Sequence, residues 1–219
     1  MPPDAVIFDC DGLLVDSETA WTRAERVLYA RRGVEFTEDH KRELLGTSPV
    51  VAQAAVERHL GLEPGEGASM HEELHELALI EVARHAPPMP GATELVAALR
   101  RRGTPIGLAS NSPVALVEGA LRAGGFTDAF DAVVSAQEVE RPKPAPDVYL
   151  EACRRLGADP ASCVALEDSP TGVAAARAAG LFVVGVPSMS GIELPGADVV
   201  AGSLRAPEVL SAVGLRLAA

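Results

Sequence analysis

Two aspartates separated by a single residue, Asp9 and Asp11, stand directly after the apolar run at residues 5–8. An ionised carboxylate at the edge of an apolar core is costly unless it is paired, hydrogen-bonded or bound to a metal ion. A carboxylate beside a metal can also attack phosphorus when the negative charge of the phosphate is neutralised. Asp11 lies on the same side of an extended chain as Asp9 and can transfer a proton to a leaving oxygen. The pair therefore predicts a reacting centre at the end of a buried strand.

Three further polar segments follow apolar runs, and their side chains suit the same chemistry. They are "ASNS" at 109–112, "RPKPAPDVY" at 141–149 and "LEDSPTG" at 166–172. The Ser110 hydroxyl and the Lys143 ammonium suit the oxygens of a phosphate group. So do the backbone N–H groups that follow Ser110, beginning with that of Asn111. We therefore predict that these three residues bind phosphate.

The acidic pair of the last segment, Glu167 and Asp168, suits a metal ion. Together with Asp9 it offers the hard oxygen ligands that Mg²⁺ prefers, and the ion would offset the mutual repulsion of the carboxylates. Glu167 either binds the metal directly or only orients a metal-bound water or Lys143. Both interpretations remain open at this point.

Alternating strand and helix patterns must position these segments. The strand candidates are 5–9, 105–110, 131–135, 163–167, 181–186 and 198–200. Helical patterns separate the later ones, at about 92–102, 114–123, 146–156 and 170–179. Such alternation predicts an α/β fold, a doubly wound parallel sheet of the Rossmann-like kind, which binds ligands at the carboxyl ends of its strands. The polar segments are then expected to meet at one edge of that sheet.

The stretch between the first strand and "APPMPGA" at 86–92, which has the composition of a hinge, shows helical patterns only. We predict a Rossmann-like core formed by residues 1–16 and 87–219. An all-helical cap domain, residues 17–86, is inserted after the first strand. Within it, "SMHE" at 69–72 predicts a capping box at a helix start.

The four segments in chain order resemble the signatures of the haloacid dehalogenase superfamily, and more narrowly its β-phosphoglucomutase-like and phosphatase subgroup. The resemblance spans the whole chain, and four motifs at four predicted strand ends are far more specific than one aspartate pair. It implies that Asp9 is the nucleophile, forming an aspartyl-phosphate, and that Asp11 is the general acid and base, with its backbone carbonyl on Mg²⁺. It also implies catalytic roles for Ser110 and Lys143 and metal binding by the acidic pair at 167–168.

The presence of Asp11 helps to distinguish among the reactions that enzymes of this family catalyse. Its dehalogenases and phosphonatases lack an aspartate at this place, whereas its phosphatases and phosphomutases keep it. Mutases of the β-phosphoglucomutase type usually carry a cap histidine and a cap-loop arginine where this chain has Trp21 and Pro49. We therefore expect a phosphatase of small, sugar-like phosphomonoesters. A mutase of that type and a non-catalytic binding module on the same scaffold are the alternatives.

The cap is expected to select the substrate and to exclude water when it closes. Gly46, Thr47 and Ser48 are predicted to lie on a cap loop that faces the core site. Trp21, the single tryptophan, is predicted either to pack in the cap core or to form part of a substrate lid. All four residues are candidate substrate contacts.

Composition and charge disfavour several kinds of partner. The net charge of −12 argues against a nucleic-acid surface. The sequence has no apolar run of membrane length and no signal-like start, so we expect a cytoplasmic protein without a membrane partner. The three cysteines, Cys10, Cys153 and Cys163, are expected to be reduced thiols. The protein is expected to be a monomer.

Overall fold

The computed structural model describes residues 2–44, 49–63, 65–189 and 191–215. The chain divides into two compact units, which are Met1–Asp16 with Pro87–Ala219 and, separately, Ser17–Ala86. It leaves the first unit after the first strand and its turn, and it returns at Pro87.

A single parallel sheet forms the centre of the first unit. Its strands are β1 Ala5–Phe8, β2 Ile106–Ser110, β3 Ala132–Ser135, β4 Cys163–Glu167, β5 Phe182–Gly185 and β6 Val199–Val200. They follow the order β3-β2-β1-β4-β5-β6. Phe8 of β1 pairs with Leu108 on one side and with Leu166 on the other, so the carboxyl ends of β1, β2 and β4 lie side by side. The predicted doubly wound parallel sheet is confirmed.

Helices account for most of the remaining described chain. In the second unit α1 to α4 are Glu18–Ala30, Glu38–Leu44, Pro49–Leu60 and Gly67–His85. In the first unit α5 to α9 are Ala92–Arg102, Val114–Ala123, Asp147–Leu156, Pro170–Ala178 and Pro207–Ala212, with 3-10 turns at Ala136–Glu138 and Pro160–Ser162. Every residue of β1, β2 and β4 is buried, as expected when helices cover both faces of a sheet. Among the described residues, no helix combines the length and apolarity that crossing a membrane requires.

Helix α4 begins earlier than the sequence predicts, and the predicted capping box was wrong. The helix starts at Gly67, so Ser69 lies inside it and donates its hydroxyl to the carbonyl oxygen of Glu66 over 3.0 Å. The cap comes instead from α3, because Oε1 of Glu57 accepts the N–H groups of Gly65 and Gly67 over 3.0 and 2.9 Å. A carboxylate at a helix N-terminus satisfies otherwise unpaired N–H groups and interacts favourably with the helix dipole.

Candidate active site

The carboxyl ends of β1 and β4 meet at a buried lysine. Lys143 Nζ donates to Oδ1 of Asp9, the residue after β1, over 2.6 Å. It also donates to Oε1 of Glu167, the last residue of β4, over 2.6 Å. Burial lowers the pKa of Lys143, but the two facing carboxylates outweigh that effect and raise this pKa well above its usual value. The lysine is therefore held in its charged form between two carboxylates.

Both carboxylate oxygens of Glu167 are bonded to protein donors. The Tyr149 hydroxyl donates to Oε1 over 2.7 Å. Oε2 accepts the N–H groups of Asp168 and Ser169 over 3.0 and 3.2 Å, and the Ser169 hydroxyl over 3.1 Å. Because both oxygens already accept hydrogen bonds from several protein donors, the interpretation in which Glu167 orients Lys143 is favoured over direct binding of a metal ion.

The end of the "LEDSPTG" segment is shaped around Glu167. A Cβ atom at Gly172 would overlap the Glu167 carboxylate, so the close approach of α8 requires glycine. The Ser169 hydroxyl accepts the N–H of Gly172 over 3.1 Å and caps α8, whose first residue is Pro170. The motif therefore encodes both a helix start and the space for a buried carboxylate.

Asp11 faces two hydroxyls at the end of β2. Its Oδ2 accepts the Ser110 hydroxyl over 3.2 Å and the Ser112 hydroxyl over 2.7 Å. Its Oδ1 is buried and has no hydrogen-bond partner among the described residues. A buried carboxylate oxygen without a partner is costly, and such exceptions are common where a substrate or a proton is handled. Oδ1 is thus the oxygen of Asp11 that the described residues leave without a hydrogen-bond donor.

The side chain of Asn111 joins two of the predicted motifs. Its Oδ1 accepts the backbone N–H of Lys143 over 2.8 Å, and its Nδ2 donates to the backbone carbonyl of the same residue over 3.1 Å. This two-point contact fixes the position of the lysine backbone relative to the end of β2. Phosphate binding by Asn111 stays a prediction, and in this geometry it falls to the backbone N–H.

Three acidic side chains approach closely enough to hold a cation. One carboxylate oxygen from each of Asp9, Glu167 and Asp168 lies within 4.8 Å of the others. Burial, followed by the charge of Glu167, raises the pKa of Asp168 to about 7. Burial also raises the pKa of Asp9 well above its usual value, although Lys143 opposes this. Carboxylates that repel one another in a buried place fit a divalent cation, which would offset that cost.

Gly12 allows the first motif to approach Asp168. Its φ angle of +80° lies in the left-handed region, and a Cβ atom there would overlap the Asp168 carboxylate. The glycine that follows the two aspartates is therefore required both by the turn and by the acidic cluster.

Comparison with known proteins identifies the family of the chain. Residues 3–180 match the haloacid dehalogenase-like hydrolases. The chain belongs to this family. Hexitol phosphatase B of Escherichia coli strain K12 is 39% identical over 189 residues, covering 84% of this chain and 83% of that protein. These matches confirm the resemblance drawn from the four motifs.

Two solved structures of the family are similar along almost the whole chain. CbbY from Rhodobacter sphaeroides, in complex with phosphate, is 29% identical with a TM-score of 0.80, covering 97% of this chain and 100% of that one. A β-phosphoglucomutase from Clostridium difficile is 25% identical with a TM-score of 0.72, covering 97% of each chain. The fold of this haloacid dehalogenase-like hydrolase is therefore shared with both.

Of the four predicted cap contacts, Trp21 alone lies among the described residues. Trp21 lines a cavity of about 230 Å³ within the helical unit, together with Glu25, Gln53 and Met70, and its ring contacts that of His75 edge-on. This position is compatible with either predicted role of the tryptophan. The predicted contacts at residues 46–48, which are Gly46, Thr47 and Ser48, lie outside the described residues.

Three residues that complete the site were not among the predicted site residues. The Tyr149 hydroxyl donates to Glu167, and the Ser112 hydroxyl donates to Asp11. Ser188 donates to Asp168, and this hydrogen bond opposes the rise in the pKa of Asp168 that burial causes. Tyr149 and Ser112 stand inside two of the quoted motifs, so their spacing from Lys143 and Ser110 was a usable signal. Ser188 follows β5, whose end was not among the polar segments considered.

Proposed function

We propose that this chain is an Mg²⁺-dependent phosphatase that hydrolyses small, sugar-like phosphomonoesters through an aspartyl-phosphate at Asp9. The observation that carries the proposal is that the two neighbouring aspartates have different hydrogen-bond partners. Asp9 is held by a buried ammonium at 2.6 Å, whereas Asp11 keeps one buried oxygen that has no hydrogen-bond partner within the described part of the chain. The first arrangement suits a nucleophile and the second suits a proton carrier.

In the first step an oxygen of the Asp9 carboxylate attacks phosphorus, and the bond from phosphorus to the ester oxygen breaks. Lys143 assists in two ways. It favours the ionised form of Asp9, and since an ammonium has three N–H donors, of which two serve Asp9 and Glu167, the third can reach a phosphate oxygen. Asp11 gives its proton to the departing oxygen, so the product leaves as a neutral alcohol.

In the second step Asp11 takes a proton from water, and the water oxygen attacks phosphorus of the aspartyl-phosphate. Orthophosphate leaves and the Asp9 carboxylate is restored. The Ser110 and Ser112 hydroxyls, which bond to Oδ2, hold Asp11 in one orientation through both steps. Oδ1 therefore carries the proton in each direction.

The chemistry of the donor set fits Mg²⁺, which we assign to the Asp9 and Asp168 carboxylates of the acidic cluster. The family resemblance adds the backbone carbonyl of Asp11 to this set. When bound, the ion supplies neutralisation of phosphate charge. Glu167 contributes by orienting Lys143, and Gly12 keeps the space in which Asp168 stands.

Mg²⁺ binding is expected to weaken as the pH falls through about 7. Since burial and Glu167 raise the pKa of Asp168 to about 7, its carboxyl is mostly protonated below that pH in the metal-free protein. The cation must then displace a proton, so the apparent Kd should rise by about tenfold per pH unit on the acid side. Isothermal titration calorimetry with MgCl₂ at several pH values measures this. A Kd that is the same at about pH 5.5 and pH 7.5 would contradict the assignment of Asp168.

Two considerations support a phosphatase rather than a mutase. Trp21 and Pro49 stand where β-phosphoglucomutases usually place a histidine and an arginine, so a second phosphate lacks those cap partners. The relative with 39% identity is a hexitol phosphatase. A small polyol or sugar phosphate is therefore the substrate class that we propose, although similarity to a β-phosphoglucomutase structure keeps the mutase as the second candidate.

Release of orthophosphate is expected to exceed isomerisation. The protein is supplied with β-glucose 1-phosphate, Mg²⁺ and a trace of glucose 1,6-bisphosphate, and orthophosphate and glucose 6-phosphate are followed together. A parallel panel of hexitol and sugar phosphates identifies the preferred organic group. Glucose 6-phosphate formed faster than orthophosphate would favour the mutase, and turnover of none of these esters would favour a non-catalytic binding module.

A further inference from the structure

Tyr149 places a hydroxyl group in the buried part of the site, behind the residues that the proposed reaction uses. It lies in the first turn of α7, and its side chain is completely buried. The hydroxyl donates to Oε1 of Glu167 over 2.7 Å. An apolar ring alone would fill this core position, because a buried hydroxyl is costly unless it is hydrogen-bonded. The hydroxyl therefore points to a role beyond packing.

Tyr149 acts on the Lys143 ammonium in two ways. Oε1 of Glu167 accepts both the Tyr149 hydroxyl and Lys143 Nζ, over 2.7 and 2.6 Å. In addition, Nζ lies 4.9 Å from the centre of the Tyr149 ring, within the range of a cation–π contact. The hydroxyl and the ring therefore restrain the same ammonium group.

The position of a lysine ammonium has to be fixed by its surroundings, because the side chain that carries it is long and flexible. Two carboxylates compete for Lys143 Nζ, since Oδ1 of Asp9 and Oε1 of Glu167 both lie 2.6 Å from it. A second donor on Oε1 shares the negative charge of that oxygen. The Tyr149 hydroxyl therefore weakens the attraction of Glu167 for the lysine and favours the contact with Asp9.

The other carboxylate oxygen of Glu167 is held independently of Tyr149. Oε2 accepts the N–H groups of Asp168 and Ser169 over 3.0 and 3.2 Å, and the Ser169 hydroxyl over 3.1 Å. These bonds keep the carboxylate in place when the Tyr149 hydroxyl is removed. The effect of that removal should therefore be confined to Oε1 and the Lys143 ammonium.

We propose that Tyr149 is a positioning residue, whose hydroxyl acts through Oε1 of Glu167 to place the Lys143 ammonium between Glu167 and Asp9. The kinetic consequence rests on the proposed function. In that mechanism Lys143 contacts both the attacking carboxylate and the phosphate, so a displaced ammonium slows the chemical step. The organic group of the ester is bound elsewhere, so KM should change little while kcat falls.

Steady-state kinetics of Tyr149→Phe test this role, because the substitution keeps the ring and removes only the hydroxyl. We expect kcat to fall about tenfold or more, with KM within about twofold of wild type. Tyr29→Phe is the matched control. Tyr29 is also completely buried, and its hydroxyl is hydrogen-bonded to Nδ1 of His59 over 2.8 Å within the helical unit. This control should keep kcat within about twofold of wild type, and thermal denaturation compares the stability of both variants.

Lysine-selective NMR tests the position of the ammonium without any turnover. Lys41 and Lys143 are the only lysines in the sequence, so protein made with isotopically labelled lysine gives two side-chain signals, which Lys41→Arg assigns. In Tyr149→Phe the Lys143 signal should shift by more than its line width, and the Lys41 signal should stay in place. Tyr29→Phe should leave the Lys143 signal unchanged.

Either a Lys143 signal that stays in place in Tyr149→Phe or a kcat equal to that of wild type would overturn the proposal. So would a raised KM at unchanged kcat, or a fall in kcat that Tyr29→Phe reproduces, since that fall would follow from the loss of any buried hydroxyl. Wild-type protein that turns over no phosphomonoester would contradict the proposed function instead. The Lys143 signal then decides by itself whether Tyr149 positions the lysine.

Discussion

Replacing Asp9 with asparagine is expected to lower kcat/KM for a phosphomonoester by about three orders of magnitude or more. An amide is a poor nucleophile and a weaker Mg²⁺ ligand than a carboxylate. The fold should survive, because Lys143 keeps its second carboxylate partner, Glu167, at 2.6 Å. Steady-state orthophosphate release, with circular dichroism to compare the folds, measures both expectations.

Asp128→Asn is the matched control for this substitution. Asp128 is exposed on the loop between α6 and β3, and the same change of acid to amide there should leave kcat/KM within about twofold of wild type. Activity of Asp9→Asn within about tenfold of wild type, in a preparation free of contaminating phosphatase, would rule out Asp9 as the nucleophile.

Removing divalent cations with a chelator is expected to abolish turnover, and added Mg²⁺ should restore it. Without a cation the Asp9 and Asp168 carboxylates repel both each other and the incoming phosphate, so a loss on the order of 10³ is expected. Ca²⁺ should not replace Mg²⁺ and should inhibit in competition with it, because it accepts more ligands and can occupy both oxygens of Asp9.

A titration of kcat against Mg²⁺ concentration, with and without Ca²⁺, measures this effect. Circular dichroism of the chelated protein provides the control that the fold persists. Full activity in excess chelator, or equal rates with Ca²⁺ and Mg²⁺, would contradict the assignment of the acidic cluster to Mg²⁺.

Much of the sheet and of the motif positions could be predicted from the sequence for one physical reason. A strand buried on both faces is a continuous apolar run, so its end is visible as the first polar residues. Helix α6 was predicted at 114–123 and β4 at 163–167, and the structure places both at those residues. Parallel pairing then brings the strand ends together, which is why Asp9, Ser110 and Glu167 were expected at one edge.

Contacts between distant residues could not be predicted in the same way. The two hydrogen bonds between the Asn111 side chain and the backbone of Lys143 join residues 32 positions apart. The cap of α4 comes from Glu57 on the preceding helix, whereas the local pattern pointed to Ser69. Local patterns report propensity, and tertiary contacts of this kind override them.

The chemistry of Asp9 is tested most directly by trapping the covalent intermediate. The protein is mixed with Mg²⁺ and a rapidly hydrolysed phosphomonoester, quenched within the first turnovers, and reduced with borohydride, which converts an aspartyl-phosphate to homoserine. Mass spectrometry of the peptide that contains residues 5–18 then locates the change. The proposed mechanism predicts homoserine at position 9, only when substrate and Mg²⁺ are both present. Turnover at the full rate with no homoserine at position 9, or with homoserine at another aspartate, would contradict it.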